Sequence, residues 1–445
     1  MISELTVEAR METKFLSLSY VILNNVNMIR NIKRAVRKNL LLKKILYTLA
    51  IVAVYMLGRN IILPTVPVDT AILTQLQGND SLLNLATITG ASLGEFNLFT
   101  LGLGPWMTAM ILWRFLTLIK VVNGLSNKRS QKYRFLLTVV IGLLQAYSFT
   151  VGTRFHEISL FGVTGQNVSH IATLLILISG LFVTIWLGNL NSNKGIGGMM
   201  VFILINMILN FVTNISKYIL ENNLTSSEVR GQMLVFSLAI FTMILVNVTM
   251  YRAEYRLSIR RIGVSGEFAS KSYVPIRLTP AGGMPFMYGM TLMILPPILI
   301  GLLLNLFPNN ATLIYLSQHL RLSETPGILF YMGMLYILAL GFAYYNYDSY
   351  DLAENMRKNG DYIDRVRPGK ETQLFLQHKI DILAQVGAIY TMVVATLPLW
   401  LVRGDDSVTS LALLISNVFI ITSLMLGIIE QVQTIRLWKQ YKDLI

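Results

Sequence analysis

Ten stretches of the chain are long and apolar enough to cross a bilayer as helices, and they limit everything else it can become. They cover about residues 42–62, 98–119, 135–152, 169–190, 196–216, 232–250, 285–307, 326–345, 380–402 and 408–430. A spanning helix needs roughly 20 apolar residues. The connecting segments test the count. With the N-terminus in the cytoplasm, only Arg59, Arg154, Lys217, Arg230, Arg321 and Arg403 fall on the outer side, so 31 of the 37 Lys and Arg face inward. The positive-inside rule requires this of ten spans with both ends cytoplasmic. One span more or fewer would scramble it. The sequence thus predicts an all-α polytopic membrane protein.

Composition narrows the chemistry. The chain is 54% hydrophobic and 13% charged, with a mean hydropathy of +0.57, whereas a soluble domain carries about a quarter charged residues. Cysteine is absent, which removes disulfides, thiolate nucleophiles and Cys-based metal sites. His156, His170, His319 and His378 lie far apart and show no metal-ligand spacing. The net charge of +14 reflects topology rather than nucleic-acid binding. Residues 1–41 are basic, with no apolar run leading to a small-residue cleavage site. They read as a cytoplasmic segment, either an amphipathic helix or a solvated arm.

Ionisable groups near a bilayer centre usually mark ion or proton paths, and the predicted spans hold almost none. Arg114 and Glu430 sit near cytoplasmic ends, where both can snorkel to the interface. Glu95 precedes the second span. No nucleophile stands with a partner base, so the chain reads as a non-enzyme without cofactor or metal. The missing charges also argue against a small-solute secondary transporter, although the broken second span keeps that reading open. The spans divide five and five, suggesting an N-terminal half over 42–216, an external hinge loop over 217–231, a C-terminal half over 232–430 and a cytoplasmic tail over 431–445.

The second span is interrupted. Residues 81–116 read "SLLNLATITGASLGEFNLFTLGLGPWMTAMILWRFL". The first part, about Leu82 to Phe96 with Leu85, Ile88 and Gly90, is too short and too rich in small residues to span. Gly102 and Gly104 loosen the joint. Pro105 suits a first helical turn, where its missing N–H costs nothing. Such a half-helix can be a movable stopper or a re-entrant loop with a purely structural role. Met107 and Ile111 beyond it share a helical face.

These residues resemble the plug and second helix of the SecY family of protein-conducting channels. Three further stretches are similar to SecY: "RRIGVS" with "VPIRLTPAGGMP" before the seventh helix, "AENMRKNGDYIDRVRPGK" between the eighth and ninth, and "EQVQT" ending the tenth. The resemblance covers about residues 40–440. It implies two helical halves around an hourglass pore, with a lateral gate between the second and seventh helices and a plug at about 82–96. Mapped position by position, it implies an apolar pore ring of Met107, Ile111, Met200, Leu204, Met287 and Ile420. A greasy constriction offers ions no substitute for water and tends to dewet. The resemblance further places SecA-type motor docking at Arg367, with Arg365, Lys370, Arg260 and Arg261 beside it. It also implies small SecE/SecG-like or accessory Sec membrane subunits, an unfolded preprotein substrate and a bacterial plasma-membrane location among lipids.

Departures from the family pattern mark a branch. "NKGIGG" replaces the usual "GNGIS", altering Lys194 and Gly197. Arg114 stands where the family usually has Gln, and Thr279 where it has Asn, both near the implied lateral gate. The loop between the sixth and seventh spans is short. These features resemble the accessory SecY of Gram-positive bacteria, which exports serine-rich glycoprotein adhesins with an accessory SecA. The alternative is a housekeeping SecY serving general secretion and membrane-protein insertion.

Overall fold

The computed structural model describes residues 40–63, 65, 97–118, 126–150, 159–160, 163–221, 227–261, 272–307, 309–320, 322, 324–401 and 406–442. Leu82, Leu85, Ile88, Gly90 and Phe96 lie outside them, as do residues 222–226 within the 217–231 region.

Each predicted span coincides with a helix. The first six are α1 (Leu40–Arg59), α2 (Gly104–Leu118), α3 (Asn127–Thr150), α4 (Gln166–Lys194), α5 (Met200–Glu221) and α6 (Ser227–Arg252). The seventh is split into α7 (Met284–Met293) and α8 (Leu295–Leu306). Pro296 and Pro297 cause the split, since neither has an N–H for the helical ladder. A short helix α9 (Ala311–His319) follows. The last three spans lie in α10 (Thr325–Asn346), α12 (Lys370–Leu401) and α13 (Asp406–Lys442), with α11 (Ser349–Asn359) between the first two. Seven stretches of described helix meet both the length and the apolarity of a spanning segment. The chain is an all-α polytopic membrane protein. The helical form follows from the solvent, because lipid cannot satisfy a backbone amide and a helix satisfies its own.

Small antiparallel strand pairs stand outside the bundle. They join β1 (Ser159–Leu160) to β2 (Val163–Thr164), β3 (Glu254–Ser258) to β5 (Tyr273–Arg277), and β4 (Arg260–Arg261) to β6 (Asp361–Tyr362). A separate apolar core of Leu257, Ile276, Met356, Leu376 and Ile380 seats β3, β5 and α11 on the first turns of α12.

The helices form two groups. In the first, α1 packs on α4, α4 on α3, and α3 on α2; in the second, α6 packs on α13, α13 on α12, α12 on α10, and α10 on α7. The groups meet along two seams. At one, α2 touches α7 and α10 while α3 touches α8; at the other, α13 touches α5 and α1. Side chains turned away from both groups are long, apolar and exposed, as Leu234, Val235 and Leu238 are along α6. These face lipid.

Two breaks in apolar sequence prove to be built turns. Before α2, the Asn97 side chain accepts from Phe99 N (3.0 Å), while Asn97 N donates to the Thr100 hydroxyl (2.8 Å). Gly102 there has φ +53°, a left-handed conformation open chiefly to glycine. This turn is bridged to Ile62 after α1 and presses its Leu98 carbonyl onto Gly180 of α4. The expected α2 start at residue 98 is therefore delayed to Gly104. Between α4 and α5, Gly197 and Gly198 are both left-handed, at +74° and +53°. Thr48 of α1 accepts from Ile196 N (2.9 Å), and Asn191 donates to the Ile196 and Gly198 carbonyls (3.0 and 2.8 Å).

A Cβ at Gly180 would lie 1.8 Å from the Leu98 carbonyl oxygen, whereas one at Gly333 would meet nothing within 4 Å. Gly180→Ala should therefore cost about 1–3 kcal/mol or more by overpacking, and Gly333→Ala should cost nothing. Thermal unfolding of both variants in detergent checks this.

Candidate functional site, an apolar constriction between two helix groups

The six residues assigned to a ring come from α2, α5, α7 and α13, and the fold gathers them into one apolar cluster. Met107, Ile111 and Ile420 are fully buried, Met287 and Leu204 nearly so, and Met200 packs partly buried against them. Phe286 and Phe419 pack beside them at 4.9 Å between ring centres, closing contact between α7 and α13. Two ring residues belong to the first helix group on α2, two to it on α5, and two to the second group. The contact between groups is thus made by aliphatic and thioether side chains with no hydrogen bond to lose. Met107 N bonds the Leu103 carbonyl (2.9 Å), carrying the helical ladder of α2 back into the preceding turn. Gly102, Gly104 and Pro105, expected at a hinge, are buried at that joint.

Sequence reasoning missed the polar ties beside the cluster. Arg59, counted only as an outer charge, donates to Asn206 Oδ1 on α5 (3.0 Å). Asn206 also donates to the Tyr55 hydroxyl and to the Phe202 carbonyl. Tyr55 stacks on Phe99 at 5.2 Å, joining α1, α5 and the 97–103 turn. On the other side, Asn247 of α6 donates to the Phe419 carbonyl (2.9 Å) and Ser423 (3.1 Å) of α13. Neutral amides bind helices in lipid without the cost of a charge. The sequence signal was a few Asn residues inside otherwise apolar runs.

Arg114 sits on the first seam. Its guanidinium lies over Tyr345 (4.6 Å), Phe342 (5.1 Å) and Tyr288 (5.8 Å), all on α7 or α10. Thr279 is placed differently. It is buried in the turn before α7, with its backbone against Gly387 of α12, and its carbonyl accepts from Gly282 N. Of the two residues expected near the gate, only Arg114 is placed here against the opposite group.

The five basic residues expected at a docking surface divide into two kinds. Arg261 forms a forked pair with Asp361 (2.7 and 3.3 Å), and Arg260 pairs with Asp364 (2.7 Å). Both hold β4 to β6. Hydrogen bonding and charge from Asp361 raise the Arg261 guanidinium above its ordinary value. Arg365, Arg367 and Lys370 are at least partly exposed and make no ion pair with a described residue. Arg365 is left-handed at φ +63°, which turns it outward while Val366 packs into the small core. The Arg367 carbonyl accepts from the Thr372 hydroxyl (2.8 Å), fixing the loop at the start of α12. Among the described residues no three His, Cys, Asp or Glu gather as a metal site.

The SecY family model matches residues 97–434. The chain belongs to the SecY family. It is 44% identical over 422 residues to the accessory Sec system protein translocase subunit SecY2 of Streptococcus parasanguinis, covering 94% of this chain and 100% of that one. It is 36% identical over 413 residues to the subunit of the same name from Leuconostoc gelidum subsp. gasicomitatum, covering 91% and 97%. Among solved structures, a protein conducting channel superposes with a TM-score of 0.61 at 15% identity, over 89% of this chain and 93% of that one. Canine Sec61 from a ribosome-channel complex gives a TM-score of 0.57 at 14% identity, over 89% and 93%. The resemblance drawn from the plug, loop and tenth-helix motifs holds, and the SecY fold orders these helices.

Reversing the charge of one partner should unpin β4 from β6. Arg261→Glu is expected to expose the 361–369 loop to limited proteolysis, and Arg261→Glu with Asp361→Arg to restore protection. Equal cleavage in parent and single variant would show that the pair does not hold the loop.

Proposed function

We propose that the chain is the channel subunit of an accessory protein translocase, passing unfolded polypeptides across the bacterial plasma membrane. It is a conduit rather than an enzyme. The observation carrying this reading is the apolar cluster of Met107, Ile111, Met200, Leu204, Met287 and Ile420, drawn from both helix groups where they meet. A collar of such side chains can part around a polypeptide and reclose without orphaning a polar group. Its lack of ligands for ions keeps it dry when shut. Methionine suits the work, being unbranched and able to repack around varied side chains. The names of the streptococcal and Leuconostoc relatives favour the accessory branch over the housekeeping one.

In this reading residues 1–41 and 431–445 are cytoplasmic, the halves are 42–216 and 232–430, and 217–231 is an external hinge. Residues 82–96 form the stopper on the outer side. The α2–α7 seam is the lateral gate. Arg367, with Arg365 and Lys370, receives a SecA-type motor. Arg260 and Arg261 brace that surface by tying the two cytoplasmic loops together. Small SecE/SecG-like or accessory Sec subunits complete the assembly, and serine-rich adhesins are the cargo.

Photo-crosslinkers at Met107, Ile111, Met287 and Ile420 should capture a precursor stalled in transit, and one at lipid-facing Leu238 should not. Capture only at Leu238 would refute the conduit. For the motor surface, Arg367→Glu should slow motor-driven export by about tenfold, as the loss of a docking charge does, while leaving the unfolding temperature unchanged. Unaltered export would remove Arg367 from that role.

A further inference from the structure

Arg114 presents a problem that the channel reading leaves unsolved. It lies four residues before the end of α2, at a seam whose other contacts are apolar. No carboxylate among the described residues pairs with it, and its polar contact with Met284 is a long one, from Nη1 to Sδ at 3.8 Å. Instead its guanidinium is enclosed by Tyr345, Phe342 and Tyr288, every one from the opposite helix group. Tyr288 and Phe342 stack on each other at 5.1 Å and only 8° between planes, so α7 and α10 present one continuous aromatic wall. A cation over such faces is held by the ring quadrupoles, more strongly where water is excluded. Arg is the residue that stacks best this way.

We propose that Arg114 is a cation–π latch across the α2–α7/α10 seam, and that it sets how apolar a segment must be to enter there. The chemistry is one-sided. A carboxylate partner would be stranded as a charge facing lipid once the seam parted. Aromatic faces leave only apolar surface, which an incoming apolar helix covers, while Arg114 snorkels to the nearby interface. The entering segment must therefore supply enough apolar contact to replace the cation's hold on the rings, and a segment carrying its own cation at this depth is repelled. A crevice lined by Ile111, Arg114, Phe115, Phe342 and Tyr345 opens at the same place. Ile111 is three residues from Arg114 on one helical face, so parting the latch moves a member of the constriction. The latch rests on the geometry alone; the role in selecting segments rests also on the translocase reading.

The chain has no cysteine, so Leu112→Cys on α2 and Ile337→Cys on α10 give a clean spin-label pair in the full chain within lipid bilayers. Arg114→Gln should raise the long-distance fraction about tenfold, the scale expected when two or three cation–π interactions are removed from a half-buried site. Tyr345→Leu should raise it in the same direction. The double variant should go no further than Arg114→Gln, because both remove one interaction. Unchanged distances in Tyr345→Leu, or additive effects in the double variant, overturn the latch; Tyr345→Leu decides alone if Arg114→Gln fails to insert. In export, precursors with graded signal hydrophobicity should cross at a lower threshold in Arg114→Gln, and an unmoved threshold overturns the selecting role. A parent chain that exports none of them defeats the translocase reading while the distance result stands.

Discussion

Contact between the two helix groups at the apolar cluster, through side chains that hold no hydrogen bond, is the constraint on which the rest of the structure depends. In lipid there is little hydrophobic drive to bring helices together, since the tails are as apolar as leucine. Association then needs close packing and a few neutral polar ties. Within each group the structure supplies both: the Arg59–Asn206–Tyr55 knot joins α1 to α5, and Asn247 joins α6 to α13. Between the groups, at the apolar cluster, methionine and isoleucine meet without such ties. Each group is thereby tied inside, and at the apolar cluster the contact between groups is made by dispersion alone.

The glycine-rich interruptions serve this arrangement. The turn at 97–103 seats α2 on α1 and α4, with Gly102 supplying a backbone angle that other residues resist. The paired left-handed glycines at 197 and 198 start α5 at the depth where Met200 and Leu204 reach the cluster. The first turn bonds Asn97 N and Phe99 N within itself, while in the second Ile196 N is bonded by Thr48 and Gly197 N by Gln431.

The ten spans were legible because length and apolarity are local properties and the Lys/Arg asymmetry is an independent check. That the six side chains share one cluster followed only from the resemblance; composition alone could not have chosen them among 21 methionines and many more aliphatic residues. The split of the seventh span at Pro296 and Pro297 had a plain signal that a hydropathy window averages away. The ties of Arg261 to Asp361 and Arg260 to Asp364 could not be read, because residues about a hundred apart carry no mark of pairing. The resemblance placed Thr279 with the gate, and the fold lays its backbone against α12. The resemblance assigned all five loop cations one role, and geometry separates the paired Arg260 and Arg261 from the exposed Arg365, Arg367 and Lys370.

The tenth helix has a bearing on how such a molecule can move. On neighbouring residues of α13, Glu430 receives Arg277 (2.8 and 2.9 Å) and Tyr251 (3.1 Å) from its own side, while Gln431 receives Gly197 N (2.7 Å) from the other. One junction is thus fastened by a directional backbone bond, and the other is held by rings, sulfur and hydrocarbon. The two edges are unequal in kind: separating the helix groups at the second breaks no backbone hydrogen bond among the described residues.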